Sequence, residues 1–148
     1  MSAEIARGNY VISNDRGRLD ISLIHETLSR AYWSPGIPRE VVERAIANSL
    51  CFGIYEGTNQ IGFARVITDK STFAYLSDVF VLEGHRGNGL ATWLLETIRT
   101  HPDLQGLRRF LLATRDAHSL YERVGFSLLA NPDRMMEILD SNAYQLFP

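Results

Sequence analysis

The stretch Leu76-Ser77-Asp78-Val79-Phe80-Val81-Leu82-Glu83-Gly84-His85-Arg86-Gly87-Asn88-Gly89-Leu90-Ala91 constrains the fold of this chain more than any other. It reads as a β-strand running into a glycine-rich turn that opens directly into a helix over residues 91–100. A helix start leaves backbone N–H groups without partners, and the positive end of the helix dipole adds to their field. Together they create a small volume that favours an anion, and a pyrophosphate suits it. Gly87 and Gly89 carry no Cβ, so a ligand's phosphates could approach the backbone closely.

Bulk properties narrow the classes. At 148 residues and 45% hydrophobic, the chain has the size of one domain, residues 1–148, with a sizeable core. No apolar run approaches the roughly 18 residues that span a bilayer, so no membrane partner is expected. Met1-Ser2-Ala3-Glu4-Ile5-Ala6-Arg7 lacks the apolar centre of a signal peptide, and a cytoplasmic location is the expectation. The single cysteine, Cys51, excludes an internal disulfide framework and cannot alone make a zinc site, so no metal is expected. Within the apolar run Leu50-Cys51-Phe52-Gly53-Ile54-Tyr55 it reads as a buried, inert thiol. A net charge of -2 argues against a nucleic-acid partner.

The spacing predicts a first strand at residues 9–13. A helix capped by Asp20 follows, carrying Ile21, Ile24, Leu28 and Ala31 on one face. Tyr32-Trp33-Ser34-Pro35-Gly36-Ile37-Pro38 breaks it, and Pro38 suits the first turn of a second helix. Strands at residues 50–55, 60–68 and 72–82 have connections too short for parallel crossovers and form an antiparallel meander. After the helix at 91–100 come a strand at 109–113, a helix at 116–124, and two further strands at 125–129 and 134–139. The order β-α-α-β-β-β-α-β-α-β-β is α+β with a mixed sheet.

A glycine-rich loop alone is a weak signal. A Walker A loop ends in Gly-Lys-Ser/Thr, and no lysine lies near this one. A dinucleotide fingerprint needs a third glycine where this chain has Leu90, Ala91 and Thr92, and the meander upstream does not suit a doubly wound fold. Arg86-Gly87-Asn88-Gly89-Leu90-Ala91 does match Gln/Arg-x-x-Gly-x-Gly/Ala, and Ala117-His118-Ser119-Leu120-Tyr121-Glu122-Arg123-Val124-Gly125-Phe126 fits A-x-x-L-Y-x-x-x-G-F. In both motifs the chain resembles the GCN5-related N-acetyltransferases (GNAT), over nearly its whole length.

The resemblance implies a mostly antiparallel central sheet flanked by helices, and acetyl-coenzyme A as co-substrate. It places the pyrophosphate on Arg86, Gly87, Asn88, Gly89, Leu90 and Ala91, and the pantetheine arm along Val79, Phe80 and Val81. The strands around positions 81 and 110 would splay to admit that arm. Tyr121 becomes the general acid that protonates the leaving thiolate. Thr114 stands where the family often has asparagine, and it offers one hydroxyl for an amide's two kinds of bond.

The base is less determined. Tyr75 falls near the place where some relatives carry a glutamate, and Asp78 is the only carboxylate within the strand. Alternation puts Asp78 beside Leu76 and Phe80, opposite Val79 and Val81, where it could take the amine's proton through water or hold a cationic substrate. Tyr32 and Trp33 are candidates to enclose the acceptor. Tyr144-Gln145-Leu146-Phe147-Pro148 has two readings, a cover over the same opening or a contact in a homodimer.

The leading functional expectation is therefore acetyl transfer to a primary amine, of a small molecule or amino-acid derivative, by direct attack in a ternary complex. A protein N-terminus or lysine is the alternative acceptor. A non-catalytic acyl-CoA-binding sensor or partner module is the alternative class.

Overall fold

Short turns between successive strands leave this chain little choice but a meander. The computed structural model describes residues 3–146. Met1, Ser2, Phe147 and Pro148, which belong to the two terminal segments read above, lie outside the described residues. The elements are β1 (Glu4–Arg7), β2 (Tyr10–Ser13), α1 (Ile21–Arg30), α2 (Arg39–Ala47), β3 (Leu50–Glu56), β4 (Asn59–Thr68), β5 (Phe73–Val81), α3 (Leu90–Thr100), β6 (Arg109–Leu111) and α4 (His118–Glu122). They build one sheet in the order β1-β2-β3-β4-β5-β6. Every pair is antiparallel except β5–β6, which is parallel because α3 carries the chain back across the sheet.

Each face of the sheet has its own core. On one face Trp93, Leu94, Leu95 and Ile98 of α3 pack on Ile12, Phe52, Ile54, Val66 and Leu76. On the other, Ile24 and Leu28 of α1 and Val42 and Ile46 of α2 cover Cys51, Phe63 and Phe80. Asp20 caps α1 by accepting from the Leu23 N–H at 3.0 Å. Gln60, buried in β4, accepts from the Asp20 N–H at 2.7 Å and so ties the start of that helix to the sheet. At the β4–β5 turn the Asp69 carboxylate accepts from the Thr72 hydroxyl and from the N–H groups of Ser71, Thr72 and Phe73. These bonds, the hydroxyl's first, hold its carboxyl well below the usual carboxylate range. Burial pushes the Cys51 thiol up to about 12, which leaves it protonated and inert.

The structure departs from expectation at both ends. An additional strand, β1, precedes the predicted first one; all four of its residues are exposed, so no apolar alternation announced it. The strands expected at 125–129 and 134–139 do not form among the described residues, and after α4 come only two short 3-10 turns, Pro132–Arg134 and Ala143–Leu146. Backbone pairing defines a strand, and among the described residues the segment after Phe126 makes no backbone pairing with the free edge of β6. Three other elements are shorter or shifted. β6 is three residues long, α4 spans His118–Glu122, and α3 begins at Leu90.

Packing around β3 generates a stability test. The buried ring of Tyr55 lies across Gly53, and a Cβ at position 53 would stand 2.5 Å from its hydroxyl oxygen and 2.7 Å from Cζ. Gly53→Ala therefore forces Tyr55 out of its place, with an expected loss of about 1–3 kcal/mol. Urea unfolding measures it, and an unchanged midpoint would show that the ring gives way freely.

Candidate active site

The site begins with an irregularity in β5. Phe63 pairs with Phe80 and Arg65 with Ser77, so Asp78 and Val79 together oppose the single residue Ala64. This is a β-bulge, and Asp78 sits in it with φ at +55°. The extra residue resets the alternation. Before it, Ala74 and Leu76 face α3; after it, Val79 and Val81 face α3, while Phe80 turns to the α1/α2 side. Asp78 thus shares a face with Phe80 as expected, but Leu76 lies on the opposite one.

The Asp78 carboxylate is buried, and both oxygens are engaged. Oδ1 accepts from the indole N–H of Trp33 at 2.9 Å, and Oδ2 accepts from Nε of Arg65 at 2.7 Å. Arg65 also donates to the hydroxyls of Ser49 and Ser77. An aromatic strip continues outward from Trp33. Tyr32 meets it edge to face with centroids 5.1 Å apart. The Tyr32 hydroxyl accepts from the Arg115 N–H at 3.2 Å, and the Arg115 guanidinium lies 3.8 Å over the Tyr32 ring. The α1–α2 connection is therefore pinned both to β5 and to the approach to α4.

Beyond Val81 the chain makes the glycine turn. Gly89, with φ at +71°, is the residue before the first turn of α3, and no side chain caps the helix. Gly87 has φ at +84°, and a Cβ there would meet open space. The consequence is a run of backbone donors: no N–H from Gly87 to Thr92 finds an acceptor among the described residues, the first satisfied one being Trp93 on Gly89 at 3.1 Å. Arg86 does not point its charge outward, because its Nε donates to the Val81 carbonyl at 2.9 Å and braces the turn. The nearby cation is Arg7 of β1, whose Nη2 would lie 3.9 Å from a Cβ at Gly89 and whose guanidinium sits over the Trp93 ring.

The parallel pairing of β5 and β6 covers only Phe73–Arg109, Ala74–Phe110 and Tyr75–Leu111. From Leu76 to Val81 the edge of β5 has no strand beside it; the strands part only after Tyr75 and Leu111, so position 110, expected at the splay, is itself paired with Ala74. Leu112, Ala113, Thr114, His118 and Tyr121 line a cavity of about 580 Å³ on the far side of β6. Tyr121 packs edge-on against Phe126. Burial raises its phenol above the usual tyrosine value, with a smaller contribution from Tyr32. Thr114 accepts from the Ala117 N–H at 3.1 Å, which fixes the entry into α4 and leaves its hydroxyl proton free to donate.

The residues singled out in the sequence thus fall in three places. Val79 and Val81 lie on β5 with Arg86, Gly87, Asn88, Gly89, Leu90 and Ala91 in and after the turn that follows it, Thr114 and Tyr121 line the cavity beyond β6, and Tyr32, Trp33 and Asp78 lie where the α1–α2 connection meets β5. Phe80 contributes backbone only, since its ring packs on Phe63 in the α1/α2 core. Tyr144 packs against that same core. Sequence reasoning missed Arg65, Arg7 and Arg115. Arg65 had a signal: a lone charge inside the apolar run Ile61–Ile67 requires a partner, and Asp78 is the only carboxylate of the next strand. Among the described residues no three His, Cys, Asp or Glu side chains are grouped to hold a metal, and no helix is long and apolar enough to cross a membrane.

Comparison with known proteins agrees with this geometry. The model of the acetyltransferase (GNAT) family matches residues 21–126. A Gibberella zeae protein named a putative acetyltransferase is 33% identical over 138 residues, which cover 78% of this chain and 77% of that one. A solved structure from Xanthomonas campestris pv. campestris, described as a putative acetyltransferase of the GNAT family, is 51% identical with a TM-score of 0.89, covering 91% of this chain and 96% of that one. A GNAT-family acetyltransferase of Elizabethkingia anophelis, solved with acetyl-CoA bound, shares the fold at 15% identity, with a TM-score of 0.64 and 91% of each chain covered.

The Asp78 contacts set a measurable expectation. Arg65→Met leaves a buried carboxylate with no charge partner and only the neutral indole N–H as a donor, a change that costs roughly 3–5 kcal/mol when a buried ion pair loses one partner. Denaturant unfolding at neutral pH checks the value, and a loss under about 1 kcal/mol would mean that solvent reaches the pair.

Proposed function

The chain belongs to the acetyltransferase (GNAT) family, and from that premise we propose that it moves the acetyl group of acetyl-coenzyme A to a primary amine by direct attack in a ternary complex. One observation carries this reading. The unpaired edge of β5 at residues 76–81 runs directly into the turn whose N–H groups at residues 87–92 are unpaired. The chemistry of that donor set fits coenzyme A. Six N–H groups at a helix start, with Arg7 beside them, suit a diphosphate. The open edge at 76–81 suits an extended arm bearing amides.

When bound, acetyl-coenzyme A supplies an activated thioester carbonyl. Backbone N–H groups near Val81 polarise that carbonyl and hold the negative charge that develops as the amine attacks. Tyr121 donates its proton to the departing thiolate. Asp78 holds Trp33 and Arg65 in place, so it acts as a positioning residue, and the amine's proton leaves through water. Tyr32 and Trp33, braced by Arg115, form an aromatic rim that favours a small amine or amino-acid derivative over an extended polypeptide. A homodimer is the partner assignment that accompanies this reading.

Tyr121→Phe is expected to lower kcat by about 10²–10⁴-fold, the usual range for a positioned acid, while leaving acetyl-coenzyme A affinity within a factor of about two. Turnover is read as thiol release across a panel of amines, amino acids and short peptides, and an unchanged kcat would remove the acid role. The pH sign follows from burial. Because the Tyr121 phenol is raised above 10.0, its acid form persists through neutral and mildly alkaline solution. The alkaline fall in kcat from this group therefore lies above pH 10, and its appearance near pH 8 would assign the titration to another residue. Gly89→Val puts a branched side chain at a left-handed position in the cradle. Titration calorimetry should then show no binding of acetyl-coenzyme A, and wild-type affinity would refute the pyrophosphate site.

A further inference from the structure

The first strand of the sheet is hard to account for by packing. All four residues of β1 are exposed, and none of them belongs to either core. Its pairing with β2 nevertheless fixes a register in which Arg7 stands directly opposite Tyr10. Residues opposite each other in an antiparallel pair send their side chains to the same face. Tyr10 packs in the core under α3, so Arg7 also leaves the sheet on the α3 side.

Both residues of that pair reach the glycine turn. The Tyr10 hydroxyl is hydrogen-bonded to Nδ1 of His85 at 3.0 Å, and the His85 carbonyl accepts from the Asn88 side chain at 3.2 Å. The Arg7 guanidinium lies 5.6 Å from the centre of the Trp93 ring in the first turn of α3, and its Nη2 would stand 3.9 Å from a Cβ at Gly89. Among the described residues no carboxylate pairs with that guanidinium. The arginine of the turn itself is placed differently, since Arg86 commits Nε to the Val81 carbonyl. A cation with donors to spare therefore stands beside the unpaired N–H groups of residues 87–92. A strand that contributes to neither core brings it there.

We propose that Arg7 is the cation of the phosphate site, binding the diphosphate of the coenzyme together with the backbone N–H groups of residues 87–92, and that the β1–β2 hairpin is the element that delivers it. This rests on the coenzyme reading above, and it gives β1 the charge-bearing role that the turn's own arginine leaves open. A guanidinium suits the task because its planar fork can make two parallel N–H bonds to phosphate oxygens. Lying over Trp93 restricts the side chain beforehand, so less of its freedom is lost when the phosphates arrive. Tyr10 acts as a positioning residue. Through His85 it ties the hairpin to the turn, and the cation keeps its place relative to the backbone donors. The donor this arrangement favours is a thioester carried on a nucleotide diphosphate, in preference to one on a pantetheine without phosphate.

Titration calorimetry of the full chain and of Arg7→Met with acetyl-coenzyme A tests this without reference to turnover. Methionine keeps an unbranched side chain over Trp93 and removes the charge, and position 7 is exposed, so the fold should persist by circular dichroism. Arg7→Gln, a second variant without the charge, should behave alike. The expected result is binding weaker by about 10- to 100-fold at low ionic strength, the range for losing a charged hydrogen-bond partner. The same factor should appear with 3′-dephospho-coenzyme A, which retains the diphosphate, and it should shrink as potassium chloride is raised. Equal affinity of variant and unaltered chain overturns the proposal and leaves the coenzyme reading standing. A loss confined to ligands with the 3′-phosphate moves Arg7 to that group and overturns the diphosphate assignment. A factor that salt does not change means that Arg7 acts through the fold, which overturns it too. If the unaltered chain fails to bind, the coenzyme reading itself falls, and this inference with it.

Discussion

The fold's geometry turns on one buried contact, the Asp78 carboxylate held between the Arg65 guanidinium and the Trp33 indole. Asp78 occupies left-handed backbone, which for a residue other than glycine costs on the order of 1–3 kcal/mol unless its surroundings enforce it. Aspartate tolerates this region better than most residues, and here its side chain is gripped from two elements. The bulge it marks adds one residue to β5. That single insertion turns Val79 and Val81 toward α3 while keeping Phe80 in the opposite core. The same carboxylate fixes the α1–α2 connection through Trp33. Strand and connection are therefore tied together through one residue, both of whose carboxylate oxygens are engaged.

The second constraint is the early end of the β5–β6 pairing. Parallel strands joined by a helix normally gain by pairing along their length. Here the ladder stops after Tyr75 and Leu111 while β5 continues for six residues. Those residues retain β4 on one side, so β5 stays rigid with an open edge. Just past its end the turn braced by Arg86 delivers the unpaired donors of residues 87–92. An extended, amide-bearing chain with a diphosphate at one end is complementary to such a sequence of features, read along β5 and into α3.

Much of this was legible in the sequence, for definable reasons. The meander followed from turn residues and short connections, and α1 from Asp20 with its apolar spacing. The cradle followed from two glycines at a strand–helix junction. The bulge was not legible, because alternation counting assumes an unbroken pleat, and Ala74, Leu76, Asp78 and Phe80 fit that count smoothly. β1 was missed because an edge strand with all four residues exposed carries no apolar period. Arg7 was missed with it, since only the β1–β2 hairpin brings that guanidinium to Gly89. Tyr32 and Trp33 were recognised as types, but their anchoring to Arg115 and Asp78 spans 83 and 45 residues and has no local signature.

The arm after Phe126 is the more instructive difference. Leu128, Leu129, Met135, Met136, Ile138 and Leu139 are the right side chains for buried strands, and a sequence reading assigns two strands there. The folded chain leaves them exposed beside an open cavity. A local pattern encodes the wish to be buried but not the contact that supplies the cover. The cavity's wall includes Tyr121, whose raised phenol depends first on burial. Leu128 and Leu129 of the same apolar segment line that cavity with Tyr121, so the segment and the burial of the phenol are coupled through one shared wall.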